Sequence, residues 1–492
     1  MEFELRDSHL TAAAAATATT YHLTHRYDAQ DGASKEALTS RQEDNYPNEQ
    51  QTSDNSHDNG NDEHTLNDTY FHQSDHSSHQ QRQLPRADGG KDAWLFLAAC
   101  FMIEALVWGF TFAFGIFQEY YSTHEPFRDS GNIAAIGTCA MGIIYILSPF
   151  VFALLLAVPR LKLWATPLGF LIMCLALALS SFSTTTTHLL ISQGVAYAIG
   201  ASLAYSPSIL FMEEWFVNRR GLAYGIQWAG TGVSGVVLPI LLQWLLNTYG
   251  FRTTLRTWSI VLFVAVAPLL YFFKPRLPIA QSASMRPFDI RFLANRTFLI
   301  FQLGNIFEAL GYFLPTIYLP TYARRTLGVG NLVSSLTVIL VNLASVFGCV
   351  LMGTLVDRYH ATTCILISTV GTTFAVFLLW GFSLSLAPLF IFCIAYGIFA
   401  GSFSSTWPAV MKEVQKTNRL AEPTIVFAFL AAGRGIGNVV SGPLSEKLLH
   451  GLPWQDAAGG AYGSGYGILI VFTGITAFLG GLSVLARPLK LV

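Results

Sequence analysis

Twelve stretches of about 20 mainly apolar residues follow one another from Ala93 onward, and each is long enough to cross about 30 Å of hydrocarbon as a helix. They run over 94–118, 133–157, 163–182, 188–211, 221–246, 254–273, 298–322, 332–356, 363–383, 387–409, 420–446 and 463–486. In lipid every backbone N–H and C=O must find its partner within the chain, and an isolated apolar segment meets that demand only as a helix. Composition agrees: 52% of the 492 residues are hydrophobic and only 12% are charged, about half the charge of an ordinary soluble domain. The predicted class is an all-α integral membrane protein. The longest polar interruption after the first segment, 274–297, divides it into a bundle over 93–273 and a second over 298–486, joined by a cytoplasmic linker and followed by a short cytoplasmic terminus at 487–492.

Residues 1–92 are a different kind of chain, rich in Asp, Asn, Gln, Ser and His, and too poor in large aliphatic side chains to offset the entropy of folding. They are expected to be disordered. Residues 1–93 hold 17 Asp and Glu against 7 Lys and Arg, so the formal charge of −1 conceals an acidic tail and a basic membrane body. Eight of the 12 histidines lie in this tail, among them His72, His76 and His79, but no cysteine or ordered scaffold fixes a coordination geometry, and no metal or cofactor is expected. The chain opens without the leucine-rich core of a signal peptide, so the first span is expected to act as its own insertion signal.

Orientation follows from the loops, because Lys and Arg are retained on the cytoplasmic side. With the tail inside, the inner loops carry 15 of them and the outer loops 6, which predicts both termini in the cytoplasm. The same rule accounts for the positive body without nucleic acid. The sequons at Asn67 and Asn295 would then never meet the glycosylation machinery. The six cysteines all lie within apolar stretches with no CxxC pair, and read as small buried hydrophobes.

The two bundles resemble each other. Glu104 in IEAL of the first segment recurs as Glu308 in FEAL of the seventh, and Tyr197 and Pro207 of the fourth recur as Tyr396 and Pro408 of the tenth. Ala229-Gly230-Thr231-Gly232 of the fifth recurs as Ala432-Gly433-Arg434-Gly435 of the eleventh, all roughly 200 residues apart. One register across three helix pairs points to a duplicated six-helix unit, the plan of a transporter whose substrate site lies near the midplane between pseudo-symmetric halves.

At this point the chain resembles the major facilitator superfamily, and within it the fungal branch of the monocarboxylate porter family. The resemblance rests on DGGKDAW entering the first segment, on FMEEWFVNRRGLAYGI between the fourth and fifth, and on GTLVDRYH after the eighth, and it covers residues 88–492. It implies twelve transmembrane helices in two six-helix bundles and transport driven by gradients. The loop after the second segment, VPRLKLW, departs from the superfamily pattern that GTLVDRYH keeps, and Lys91 and Asp92 stand where family members carry aromatic residues. Animal members carry an Asp and Arg pair in the eighth helix. LTVILVNLASVFGCVLMG has neither, so lactate and proton cotransport by those residues is not implied.

Charges within the membrane are costly, so Glu104, Glu308 and Arg434 are the first candidates for substrate binding or proton coupling. A guanidinium matches a carboxylate bidentately, and Arg434 suits an organic anion; the alternative is a structural ion pair with a glutamate. Tyr197, Tyr396 and Trp228, with Trp108 and Tyr312, are candidates for an aromatic wall. Pro207, Pro239, Pro315, Pro320 and Pro408 are expected at kinks. Asp357 and Arg358, with Arg219, Arg220, Glu213 and Glu214, are expected to form inter-helix ion pairs that hold one conformation and break in another.

Enzyme signatures fail inspection. Gly230 to Gly235 satisfies GxGxxG, but inside an apolar helix with no preceding strand, and HExxH, P-loop and GxSxG motifs are absent. The expected protein is therefore not an enzyme but a monomeric, multi-pass secondary transporter of the plasma membrane. Its partners are the bilayer, a small organic substrate and protons. The substrate expected is a carboxylate or an amphipathic secondary metabolite, with efflux favoured. Uptake of simple monocarboxylates and a non-transporting membrane sensor are the alternatives.

Overall fold

The residues of Arg220–Phe272 are helical on either side of Gly250, and as a single straight helix these 53 residues would be about 80 Å long, far more than a bilayer spans. Gly250, at φ 72° and ψ 171°, resolves this by breaking the run into two crossings, α5 (220–249) and α6 (251–272). The sequence expects a loop of several residues here. The structure turns the chain on one glycine, in a backbone conformation that other residues rarely adopt.

The structure, a computed structural model, describes residues 84–128, 133–278 and 289–486. The expectations for residues 1–83 of the tail, for part of the linker and for the last six residues lie outside these, while residues 84–92, expected to belong to the disordered tail, are ordered where Asp88 accepts backbone N–H groups and Lys91 opens the first helix. Around α5 and α6 stand α1 (Lys91–Thr123), α2 (Ile133–Ala157), α3 (Leu161–Ser180) and α4 (Thr186–Trp215). The second set comprises α7 (Arg296–Leu327), α8 (Asn331–Arg358), α9 (Ala361–Trp380), α10 (Leu386–Thr417), α11 (Pro423–Leu449) and α12 (Gly467–Val484). Counting the break at Gly250, these are twelve crossings, and the described residues contain no strand. Phe150, Trp164, Leu179, Val264, Phe347 and Phe478 are exposed, as side chains facing lipid must be.

The duplication seen in the sequence has a physical counterpart. The Tyr197 hydroxyl of α4 donates to the Val107 carbonyl of α1 at 2.9 Å, and the Tyr396 hydroxyl of α10 donates to the Tyr312 carbonyl of α7 at 2.7 Å. A Cβ on Gly230 would strike the Phe101 carbonyl of α1, and one on Gly433 would strike Gln302 of α7. The halves meet through α5 against α8 and through α2 against α11. Gly221 and Gly225 pack against the Gly353 and Cys349 carbonyls, and Gly232 and Gly235 against Asn342, so the GxGxxG run is a close helix crossing of small residues.

Several helices are interrupted at matching places. α1 breaks at Ala113 and α7 at Phe313, with Pro315 opening the next turn. α10 passes through the 3₁₀ turn Phe403–Thr406 before Pro408, whereas α4 carries Pro207 within continuous helix. Five of the six cysteines are buried and Cys139 is half-buried.

Candidate functional site

A cavity of about 60 Å³, room for a few water molecules, lies where the halves meet. Its wall takes Glu104 and Trp108 from α1, Trp228 and Thr231 from α5, and Arg434 from α11. Tyr312 of α7, Asn342 of α8 and Trp407 of α10 also border it, with Tyr145 of α2 and Tyr205 of α4. The bend in α10 brings Gly401 and Ser404 to the same wall.

Arg434, 2% exposed, donates from Nη1 to Glu308 Oε2 at 2.6 Å. Its guanidinium lies 4.2 Å from the centre of the Tyr312 ring, and Tyr145 of α2 borders the same cavity. Arg434 is therefore held within its own half by Glu308 and Tyr312, while the neighbouring Gly435 packs against Tyr145 of the opposite half. Glu308 Oε1 has no partner.

Glu104, also 2% exposed, is held differently. Its Oε2 accepts from Gln227 Nε2 at 3.0 Å and its Oε1 from the Thr231 hydroxyl at 3.3 Å, both neutral donors. Gln227 Nε2 also donates to Ser208 of α4 at 3.0 Å, while Gln227 Oε1 is unmet.

An aromatic cluster crosses between the halves beside the cavity. Trp228 and Phe427 stack at 6.2 Å and 11°, Tyr224 stacks on Trp228 at 5.3 Å, and Trp407 stands edge-on to Phe427 at 5.3 Å. Trp108 packs on Tyr145 at 4.6 Å and edge-on to Tyr205 at 5.9 Å. The indole N–H groups of Trp108 and Trp407, each 3% exposed, have no partner.

At one end of the bundle, carboxylates hold backbone N–H groups. Asp357 of α8 accepts from the first N–H groups of α5, Gly221 at 2.7 Å and Leu222 at 2.9 Å. Asp88, just before α1, accepts through Oδ1 from Val217 and Asn218 at 2.8 Å and from Arg219 at 3.0 Å. Partial burial raises the Asp88 carboxyl, but these backbone bonds outweigh it and leave the group below its ordinary value. Arg220 pairs with Glu213 at 2.7 Å inside the first half, and Glu214 accepts from the N–H groups of Arg276 and Leu277 at 3.0 Å.

Of the residues expected at a site, Glu104, Arg434, Trp228, Trp108 and Tyr312 border the cavity, and Glu308 stands behind Arg434. Tyr197 and Tyr396 do not; their hydroxyls fasten helix to helix. Asp357 meets backbone amides where an arginine was expected, the Arg219 N–H goes to Asp88, and Arg358 is exposed. Tyr145, Asn342, Trp407 and Phe427 were missed. Asn342, an amide inside an apolar segment, was a signal that a search for charges passed over.

A sequence profile of the Major Facilitator Superfamily matches residues 94–442. The chain is 26% identical to the MFS transporter asaE of Aspergillus flavus over 82% of its own length and 90% of that protein's. It is 28% identical to the agnestins efflux protein AgnL12 of Paecilomyces divaricatus, covering 81% and 88% of the two chains. It is 25% identical to monocarboxylate transporter 10 of Danio rerio, covering 84% and 81%.

Proposed function

Because the chain belongs to the Major Facilitator Superfamily, we propose that it works by alternating access, exporting a small amphipathic or carboxylated metabolite across the plasma membrane. The observation that carries this reading is the cavity at the meeting of the halves, walled by a guanidinium, a carboxylate and indole rings. A molecule placed there touches both halves, which a carrier needs if cargo is to bias their rocking. Its present volume admits only water, so a metabolite enters when the halves part. Arg434 already gives one donor to Glu308, which favours a cargo held by aromatic faces and several hydrogen bonds over a bare monocarboxylate.

The end that carries Asp88, Arg219 and Asp357 is the cytoplasmic face in this reading, in keeping with its basic loops. Asp357 on Gly221 and the glycine crossing of α5 and α8 then form the inner gate, with Arg219, Arg220 and Arg358 around it. AgnL12, by its name an efflux protein, supports export; the fish monocarboxylate transporter keeps uptake as the second reading.

The test compares small molecules inside cells and in the medium, with and without the gene, in the source organism. A compound that builds up inside and vanishes from the medium on deletion establishes export and identifies the cargo. A compound left unconsumed in the medium makes the protein an uptake carrier. Identical profiles under all growth conditions would overturn transport.

A further inference from the structure

Thr231 and Arg434 hold the same place in the repeated Ala-Gly-x-Gly segments of α5 and α11, and each bonds the glutamate repeated in the facing helix. In the second half the bond joins two opposite charges at 2.6 Å. In the first half the partner is a neutral hydroxyl at 3.3 Å. The duplicated unit has thus kept both carboxylates while placing a fixed cation beside only one.

We propose that Glu104 takes up and releases a proton in each transport cycle, whereas Glu308 remains ionised as the fixed counter-charge of Arg434. A buried carboxylate with no counter-charge is costly to keep ionised, and the group escapes that cost by binding a proton. Gln227 and Thr231 of α5 bond Glu104, Ser208 of α4 bonds Gln227 in turn, Cys100 lies one turn away on its own helix, and Tyr145 of α2, Tyr205 of α4 and Cys349 of α8 share the cavity wall with it. The one Lys, Arg or His on the cavity wall is Arg434, and Glu308 holds it.

The surroundings suit both states of Glu104. Ionised, it accepts from Gln227 Nε2 and from Thr231, as observed. Protonated, it needs an acceptor, and the unmet Gln227 Oε1 becomes one when that amide turns over. The proton comes from water on one side of the membrane and returns to water on the other, with no bond formed to cargo. Glu308, bound to a guanidinium, has no such alternative partner.

This inference rests on the transport reading, but its test needs no cargo. Purified full-length protein in lipid is titrated with pH while the infrared band of protonated carboxylic acid is followed, for the wild type, Glu104→Gln, Glu308→Gln and Thr231→Arg. The expected result is a titrating band present in the wild type and Glu308→Gln and lost in Glu104→Gln. Thr231→Arg, which supplies the missing cation, also loses it, and serves as the second reading if the Gln variant does not fold. A band that survives in Glu104→Gln, or that disappears in Glu308→Gln instead, overturns the assignment. A confirmed titration with no compound moved in cells would leave the proton site standing and fail the transport reading alone.

Discussion

Asp357 accepts the Gly221 N–H at 2.7 Å, so a carboxylate from the second half caps the first turn of a helix in the first. Such a cap contributes about 1 kcal/mol, and the positive end of the helix favours the charge. Because the partners belong to different halves, that energy is present only while this face is closed. Replacing Asp357 by Ala should shift the equilibrium toward the state open on this face by about fivefold. Spin labels at the ends of α5 and α8 would report it as a longer distance; an unchanged distribution would make the cap dispensable.

The glycines below it act by size. A Cβ on Gly353 would strike the Gly221 carbonyl, and one on Gly225 would strike that of Cys349, all backbone that cannot swing aside. Gly353→Ala should hold the face apart and lower transport at least tenfold without changing membrane insertion. Gly89→Ala, whose Cβ would meet nothing within 4 Å, is the control, expected to transport normally in the same uptake or export assay.

The fold was legible because lipid removes choices: once twelve apolar segments are counted, helices follow, and repeated residues set the pairing of halves. Glu104, Arg434 and Trp228 could be found because their cost or size in lipid demands a reason. Tyr197 and Tyr396 stood out equally, yet they carry the packing of α4 on α1 and of α10 on α7. Repetition alone marks what the fold needs as readily as what a ligand needs. The Asp88 and Asp357 contacts were hidden, since their partners are backbone amides that no side-chain pattern reveals.

Arg434 and Glu308 should be tested together. Removing one member of a buried pair strands the other charge, at about 3–5 kcal/mol. The sequence suggests that Arg434→Ala would lose transport yet reach the surface normally. The 2.6 Å bond to Glu308 predicts lower thermal stability as well. Arg434→Ala with Glu308→Ala should recover most of the melting temperature without recovering transport. Recovery of both by the double variant would reduce the pair to a structural role.

Asp88 offers a pH test outside the membrane. Its carboxyl is lowered by the N–H groups of Val217, Asn218 and Arg219, so its stabilisation is fully present above the ordinary value of 3.8 and disappears as pH falls through the lowered one. The tie between the start of α1 and the α4–α5 turn should thus be indifferent to pH across the neutral range. Asp88→Ala should cost about 1 kcal/mol there, because the three N–H groups are exposed and exchange the carboxylate for water, and the difference from wild type should shrink only in strong acid. Thermal unfolding at neutral and acid pH measures both.

The indole N–H groups of Trp108 and Trp407, one from each half, have no partner, and the proposed transport assigns them to cargo. Replacing either by Phe keeps a ring in the wall and removes one donor, which should weaken binding by about 1 kcal/mol, or about fivefold in KM for the exported compound. Trp258 also has an unmet N–H but does not border the cavity, so Trp258→Phe should leave KM unchanged and alter stability only. Loss confined to Trp108 and Trp407 variants would place hydrogen-bond acceptors on the cargo at two points, one toward α1 and one toward α10. Equal KM values in all three variants would leave those rings a packing role, with recognition resting on the carboxylate and guanidinium.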